Sequence, residues 1–151
     1  MSGSTVLVRC FKPDDAGAVA ALWRTCFPDD PPRNEPRAMI ERKLARDPEL
    51  FWVAVAGADA PAGSGEVVGA VLAGYDGVRG WLYHLAVAPD RRREGIGRAL
   101  VEHAVVELHG LGCRKVNLQV RESNAAVVAL YASLGWVEDR TISLGRVLSD
   151  T

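Results

Sequence analysis

The sequence is poor in the features that mark secreted and metal-binding proteins. It contains three cysteines, an odd number. No CxxC pair occurs, and the wide spacing of Cys10, Cys26 and Cys113 fits neither a disulfide framework nor a zinc site. We therefore expect free thiols and no bound metal. No neighbouring base marks any of the three as a nucleophile.

Long apolar runs and an excess of one charge are missing as well. Val6-Leu7-Val8 is followed at once by Arg9, so the N-terminus lacks the apolar core of a signal peptide. No stretch approaches the roughly 20 apolar residues of a membrane span. The formal net charge is −1, which gives no overall field for nucleic acid or an anionic membrane. We expect a cytoplasmic protein without nucleic-acid or membrane partners, in which any anion site is local.

What is present is enough apolar material for one core. The chain has 151 residues, 48% of them hydrophobic and 25% charged, so residues 1–151 are interpreted as a single domain. The predicted order is β-α-α-β-β-β-α-β-α-β. The predicted strands cover residues 6–11, 50–56, 67–74, 80–88, 115–121 and 136–144. The Gly- and Ala-rich segment 57–65 is interpreted as a hairpin loop.

Helical periodicity fills the segments between these strands. Val19, Leu22, Trp23 and Cys26 fall at i, i+3, i+4 and i+7, which predicts one buried helical face. A later helix over residues 123–134 is capped by Ser123 or Asn124 and stopped by Gly135. Strands that run together and then alternate with helices indicate an α/β protein, with a mixed sheet covered by helices on both faces.

A glycine- and arginine-rich turn follows the predicted strand at residues 80–88. Arg93-Glu94-Gly95-Ile96-Gly97 comes shortly after Pro89, and a helix then opens. Free N–H groups at a helix start attract anions, and glycines let an anion approach the backbone. Arg91, Arg92, Arg93 and Arg98 add positive charge suited to a pyrophosphate. A plain tight turn with a solvated basic face remains the alternative, while a dinucleotide fingerprint and a P-loop are excluded by spacing.

Two segments together resemble a known family. Leu85-Ala86-Val87-Ala88-Pro89 followed by Arg92-x-x-Gly95-x-Gly97 resembles the coenzyme A motif of the GNAT superfamily of N-acetyltransferases. Asn124-Ala125-Ala126, followed by Leu130-Tyr131-Ala132-Ser133-Leu134-Gly135-Trp136, is similar to that superfamily's NxxA…LYxxLGF segment. Trp136 replaces the usual Phe or Tyr. The resemblance spans nearly the whole chain and points to a bacterial single-domain subgroup.

The resemblance implies a fold and an activity. The fold is a mostly antiparallel central sheet of six to seven strands, splayed at the coenzyme site and flanked by about four helices. The activity is direct transfer of an acetyl group from acetyl-CoA to a primary amine of a small molecule or a peptide, without a covalent enzyme intermediate. Relatives are often dimers, so a homodimer is an expectation by analogy.

The resemblance also implies site residues. The backbone of Leu85, Ala86 and Val87 would pair with the pantetheine arm, and Asn124 would hydrogen-bond that arm. Tyr131 would stand near the thioester sulfur as a hydrogen-bond donor or general acid. The pyrophosphate would be held by the amides of Arg92, Arg93, Glu94, Gly95, Ile96, Gly97 and Arg98.

The general base is less well marked. Some relatives carry a glutamate on the strand before the NxxA helix, where this chain has Gln119, which accepts no proton. Tyr83 or His84, acting through water, is the alternative, with Asp76 as a third candidate. Strand alternation predicts two sides, Trp81, Tyr83, Leu85 and Val87 on one and Leu82, His84 and Ala86 on the other. A purely structural role for His84 stays open.

The acceptor site is predicted around acidic and aromatic side chains. Asp29, Asp30, Asp76 and Trp81 are the candidates, with Glu35 nearby, because carboxylates suit a cationic amine. A solvated acidic loop explains the same residues equally well. Two rival functions remain, a coenzyme A-binding module without transfer and a non-enzymatic regulatory α/β domain.

Overall fold

The computed structural model describes residues 6–57 and 65–150. The strands are β1 (Val6–Cys10), β2 (Phe51–Ala56), β3 (Glu66–Tyr75), β4 (Gly80–Val87) and β5 (Val116–Asn117). The helices are α1 (Ala16–Cys26), α2 (Pro36–Arg46), α3 (Ile96–Gly110) and α4 (Ala125–Ser133). Most of the predicted loop at residues 57–65 lies outside the described residues. Within the described part of the chain, no helix has the length and apolarity to cross a membrane.

The strands form one sheet in chain order, from β1 to β5. Neighbours pair antiparallel except β4 and β5, which run parallel. The predicted hairpin of β2 and β3 is confirmed by their antiparallel pairing. The mostly antiparallel sheet with helices on both faces is also as predicted.

The strand count is lower than the six to seven expected, because the described residues form five strands. The strand predicted at residues 115–121 shortens to β5, and the one predicted at 136–144 does not form. Side chains replace main-chain pairing there. Asn117 donates to Asp139 over 2.7 Å, and Gln119 donates to the Ser143 hydroxyl. The segment after α4 therefore follows β5 without a hydrogen-bonded ladder.

Each face of the sheet has its own core. Along β2, Phe51, Val53 and Val55 pack on the α1–α2 side, while Trp52, Ala54 and Ala56 pack on the α3 side. This is the two-residue alternation of a strand covered on both faces. The predicted α1 face is confirmed, since Val19, Leu22 and Trp23 are buried on the first side.

The predicted alternation along β4 is wrong because the strand contains a bulge. The register with β3 shifts between Ala70 and Leu72, and His84 has a φ of 50°. One extra residue in a strand exchanges the faces beyond it. As a result Leu82 packs with Leu85 on the α3 side, although the alternation placed them on opposite sides. Ala86 lies on the α1 side.

Glycine lets α3 lie close to the sheet. A Cβ on Gly69 of β3 would stand 2.9 Å from Leu100 Cδ1 and 3.1 Å from Ile96 Cγ2. Both helix side chains are buried. The absence of a side chain on β3 thus fixes the depth at which α3 begins, directly after the arginine-rich turn.

Candidate active site

The turn between β4 and α3 has an unusual backbone. A short 3-10 turn at Pro89–Arg91 leads into Arg93, with φ 67°, and Gly95, with φ 80°. Left-handed conformations suit Gly95, but they are unfavourable for a residue with a side chain such as Arg93. Such strain persists where surrounding structure maintains it, and it is concentrated at functional sites.

This turn presents a row of free main-chain donors. Ala99 N–H donates to Gly95 O over 3.0 Å, which is the first helical bond of α3. Within the part of the chain that the structure describes, the N–H groups of residues 92–98 have no hydrogen-bond acceptor. Such donors, together with the helix dipole, favour an anion at this position.

The arginines around the turn differ in how they are engaged. Arg91 forms an ion pair with Glu94 at 3.2 Å, which offsets its charge. Arg92 reaches only the sulfur of Cys26, at 4.0 Å. Arg93 and Arg98 have no acidic partner among the described residues. Three guanidinium groups are therefore available for phosphate oxygens.

β4 has an open edge next to this turn. Its parallel pairing with β5 covers only Gly80–Val116 and Trp81–Asn117. Ala88 N–H donates to Val68 O on the β3 side, so alternation points the main-chain groups of Val87 and Leu85 to the other side. There the Cys26 thiol reaches Val87 O at 3.5 Å. The splay expected in the sheet is present between β4 and β5, and it leaves a strand edge that an extended ligand can pair with.

α4 closes the other side of this opening. A Cβ on Gly97 would lie 3.6 Å from Val87 Cγ2 and 3.8 Å from Leu130 Cδ2. The β4 end, the turn and α4 therefore meet at Gly97. Asn124 caps α4, because its Oδ1 accepts from Val127 N–H at 3.3 Å. Only its amide N–H groups remain for a ligand.

Tyr131 stands on α4 facing the core on the α3 side. Its ring is buried and lies edge-on to Trp136, with centroids 5.5 Å apart. Burial raises the pKa of Tyr131 to about 12. The hydroxyl has no hydrogen-bond partner among the described residues, yet it is not among their fully enclosed, unpartnered polar atoms. The hydroxyl therefore keeps its proton and an accessible position.

His84 lies in the β4 bulge, where its side chain and its carbonyl have several partners. Its Nε2 lies 2.9 Å from Asp30 Oδ2. Trp23 donates its indole N–H to the His84 carbonyl at 3.2 Å, and the rings of Trp23 and Phe27 lie edge-on to the imidazole. A carboxylate on Nε2 favours the tautomer with its proton there. Nδ1 then carries the free lone pair.

A cavity of about 550 Å³ opens beside His84, between α2 and the β3–β4 strands. Asp76, Trp81 and Tyr83 line it, as does His84 itself. Asp30 reaches the cavity only through His84, and Asp29 is an exposed residue outside the lining. Glu35 is occupied elsewhere. It caps α2 and contacts Arg24 at 3.3 Å.

Sequence reasoning missed the basic side of this cavity. Arg42, Lys43 and Arg46 of α2 line it. The signal was present, since basic residues four apart share one helical face. A basic helical face is usually solvated, however, and only the packing of α2 against the sheet shows that this one borders a cavity.

Fold and site together define a class. An anion-attracting helix start, an open strand edge and a buried tyrosine converge in a mixed α/β protein, an arrangement suited to a long ligand with a phosphate group and an extended arm. The family model for the acetyltransferase (GNAT) family matches residues 17–136. An acetyltransferase of Pectobacterium atrosepticum is 43% identical over 141 residues, which are 93% of this chain and 94% of that protein.

Solved structures agree in fold. A putative acetyltransferase from Agrobacterium tumefaciens has a TM-score of 0.71 at 25% identity, with 93% of this chain and 99% of that one covered. Aminoglycoside N-acetyltransferase AAC(6')-Iy in complex with CoA has a TM-score of 0.77 at 19% identity, with 98% of each chain covered. The protein belongs to the GNAT family and is an N-acetyltransferase.

Proposed function

We propose that the protein transfers an acetyl group from acetyl-CoA directly to a primary amine. The observation that carries this proposal is the row of unpartnered N–H groups at residues 92–98, beside the open edge of β4. A pyrophosphate needs such donors, and a pantetheine arm needs such an edge. AAC(6')-Iy, solved with CoA, shares this fold.

The residues present fit acetyl-CoA. The turn at 92–98 has room for an anion, because a Cβ on Gly97 would meet protein atoms only at ordinary contact distance. Leu85 and Val87 offer main-chain groups to the amides of the arm, with Ala86 between them turned to β3. The Asn124 amide N–H groups add a donor at the start of α4. Acetyl-CoA supplies an acyl carbon activated by a thiolate leaving group.

Tyr131 is proposed to donate a hydrogen bond to the departing sulfur. Its pKa of about 12 lies roughly 3.5 units above that of an ordinary thiol, a difference of about 5 kcal/mol against full proton transfer. A neutral donor aimed at developing negative charge needs no such transfer. Tyr131 therefore stabilises the charge and keeps its own proton.

His84 is the proposed base, with Asp30 as its positioning residue. The free Nδ1 is suited to accept a proton from the acceptor amine directly or through one water. Tyr83 is a poor base, because partial burial and then the Asp76 charge raise its pKa. Asp76 is poorer still, since the N–H groups of Arg79 and Val78 hydrogen-bond its carboxylate and lower its pKa.

The reaction balances without another reagent. The amine nitrogen forms a bond to the acyl carbon, and the carbon–sulfur bond breaks. One proton leaves the nitrogen toward His84, and the sulfur departs with the electron pair beside the Tyr131 hydroxyl. The His84 proton returns through solvent to the thiolate, so that the products are an amide and a free thiol.

Two measurements test this function. Acetyl-CoA binding should raise the melting temperature, because a ligand at a hundredfold excess over Kd stabilises the fold by about 2.7 kcal/mol. Thiol release should then require both acetyl-CoA and an amine. A melting shift without thiol release across a broad amine panel would favour the rival, a coenzyme A-binding module. Absence of a shift at millimolar acetyl-CoA would contradict the coenzyme site.

A further inference from the structure

The cavity beside His84 is lined by basic as well as acidic side chains. α2 contributes Arg42, Lys43 and Arg46 to the lining, and the acidic lining residues are Asp47 and Asp76. Lys43 is not available to a ligand, because it pairs with Asp47 at 2.6 Å and also donates to the Ala73 carbonyl. Because Lys43 and Asp47 pair with each other, the charges of Arg42, Arg46 and Asp76 in the lining have no ion-pair partner among the described residues.

The two arginines have no acidic partner in the described part of the chain. Arg42 donates to the Arg33 carbonyl at 2.8 Å, which leaves its charge uncompensated. The Arg46 side chain makes no hydrogen bond or ion pair with another described residue. Residues four apart on a helix have Cβ atoms about 6 Å apart, so both guanidinium groups reach the same region. A pair of forked donors there suits a carboxylate or a phosphate.

Asp76 lies on the strand side of the same cavity. Its Oδ1 accepts the N–H groups of Val78 and Arg79, at 2.7 and 2.8 Å, but its negative charge remains. His84 lies on that side as well. The cavity therefore has a side suited to an amine, near Asp76 and His84, and a side suited to an anion on α2.

The positive side extends beyond this cavity. Arg42 also lines a second cavity, of about 760 Å³, together with Arg33 and Arg146. Arg33 is paired with Asp150 at 2.9 Å, whereas Arg146 has no acidic partner among the described residues. A polycationic acceptor would meet repulsion along this face, and an acceptor with a negative group would meet attraction.

We propose that the acceptor is a primary amine that also carries an anionic group, and that Arg42 and Arg46 bind this group. The inference rests on the proposed acetyl transfer and narrows its substrate class. It replaces the expectation that Asp29, Asp30 and Glu35 select a cationic amine, since Glu35 caps α2 and Asp30 holds His84.

The test is a comparison of matched acceptors in the thiol-release assay at fixed ionic strength. Leucine is compared with isopentylamine, O-phosphoethanolamine with ethanolamine, and a peptide with aspartate behind its N-terminal residue with its asparagine analogue. These pairs distinguish a carboxylate, a phosphate and an acidic peptide. The anionic member of at least one pair should have a kcat/KM at least about tenfold higher, as expected for a charge-assisted hydrogen bond.

Three variants identify the residues responsible for the preference: Arg42→Gln, Arg46→Gln and the double variant. The double variant should lose the preference, because its kcat/KM for the anionic member should fall to about the value for the uncharged member. Arg37→Gln is the matched control, because Arg37 is exposed on the same helix and lies outside the cavity lining. Equal rates for the two members of every pair, or a preference that survives in the double variant, would overturn the inference and leave acetyl transfer intact.

A binding measurement covers the case in which no amine is acetylated, which would count against the proposed function itself. With coenzyme A present to occupy the turn at 92–98, inorganic phosphate and succinate are titrated while the arginine Nε–Hε resonances are followed. Saturable shifts assigned to Arg42 and Arg46 would support the anion site. Unchanged resonances at millimolar anion would overturn it.

Discussion

The turn at residues 92–98 and the cavity beside α2 present different parts of the chain to a ligand. The turn offers main-chain N–H groups, and the few residues whose identity its conformation depends on lie within one short segment. The cavity is lined by side chains from α2, β3 and β4, which are far apart in sequence. A main-chain site depends on backbone conformation and can serve one invariant ligand. A side-chain site changes with each substitution, so it is where members of one family can differ in acceptor.

The largest effect is expected at Tyr131 on α4, the helix that meets the turn at Gly97. Tyr131→Phe removes one donor to developing charge and should lower kcat about a hundredfold, as loss of a single oxyanion donor does. The KM for acetyl-CoA should change less than about twofold, because the ring and its packing remain. Steady-state kinetics measures both values. Turnover at the wild-type rate would eliminate the role of the hydroxyl.

The next largest effect is expected at His84, in the cavity lined by side chains. His84→Asn keeps a residue that tolerates the left-handed φ of 50° but removes the proposed base. kcat/KM for the acceptor should fall about thirtyfold, a little less than the roughly hundredfold or more that general acid–base catalysis typically contributes. Asp30→Asn should have a smaller effect and change the pH profile. A pH–rate profile of His84→Asn that matches the wild type would show that the histidine is structural.

A smaller effect, on coenzyme A affinity, is expected at the main-chain site in the turn at residues 92–98. Gly97→Ala places a Cβ at ordinary contact distance from Val87 and Leu130, so the fold should tolerate it, and α3 should gain up to about 1 kcal/mol. The methyl group would nevertheless occupy the space in front of the free N–H groups. We expect the Kd for coenzyme A, measured by calorimetry, to rise about tenfold, which corresponds to about 1.4 kcal/mol.

Gly110→Ala is the control for that substitution. Gly110 ends the same helix, and a Cβ there meets nothing within 4 Å. Its affinity for coenzyme A should equal that of the wild type. Equal affinity in the Gly97→Ala variant would show that the turn does not hold the ligand closely.

The smallest effect on activity is expected far from both regions, at Asp15. Arg9 donates to this buried carboxylate at 2.8 and 3.0 Å, and Lys12 N–H donates at 2.8 Å. Burial alone would raise the pKa of Asp15, but these hydrogen bonds outweigh it and lower the pKa. The charged form therefore stabilises the fold above the unfolded-state pKa of about 3.9, and that stability is lost as pH falls through the folded-state value.

Asp15→Asn should cost about 2 kcal/mol of unfolding free energy at pH 7, as expected for hydrogen bonds to a charged group. The difference from wild type should begin to shrink as pH falls below about 3.9, where the carboxylate of the unfolded chain becomes protonated, and should be lost only below the lowered folded-state pKa. Urea unfolding at pH 7 and pH 3.5 measures both values. The exposed neighbour Asp14, changed to Asn, is the control. Equal stability of Asp15→Asn and wild type at pH 7 would contradict this account.

The contrast between a main-chain site and a side-chain site also explains which features the sequence could predict. Gly95 and Gly97 at a helix start are local features, so sequence reasoning identified them, and it named Asn124 as one of two candidate helix caps. The faces of β4 were assigned wrongly, because the bulge at His84 arises from pairing with β3 and has no local signal. The position of Arg42 and Arg46 at the cavity was missed because it depends on the packing of α2 against the sheet. The last strand was overpredicted, since its β-forming residues find side-chain contacts and no ladder.

Amide hydrogen exchange, resolved by residue in the presence and absence of coenzyme A, tests the central claim most directly. In the free protein the N–H groups of residues 92–98 have no acceptor within the described chain, so they should exchange rapidly. Saturation with coenzyme A should slow their exchange, and that of the Leu85 and Val87 amides, by about tenfold or more. Unchanged exchange across residues 92–98 in the saturated protein would contradict the claim.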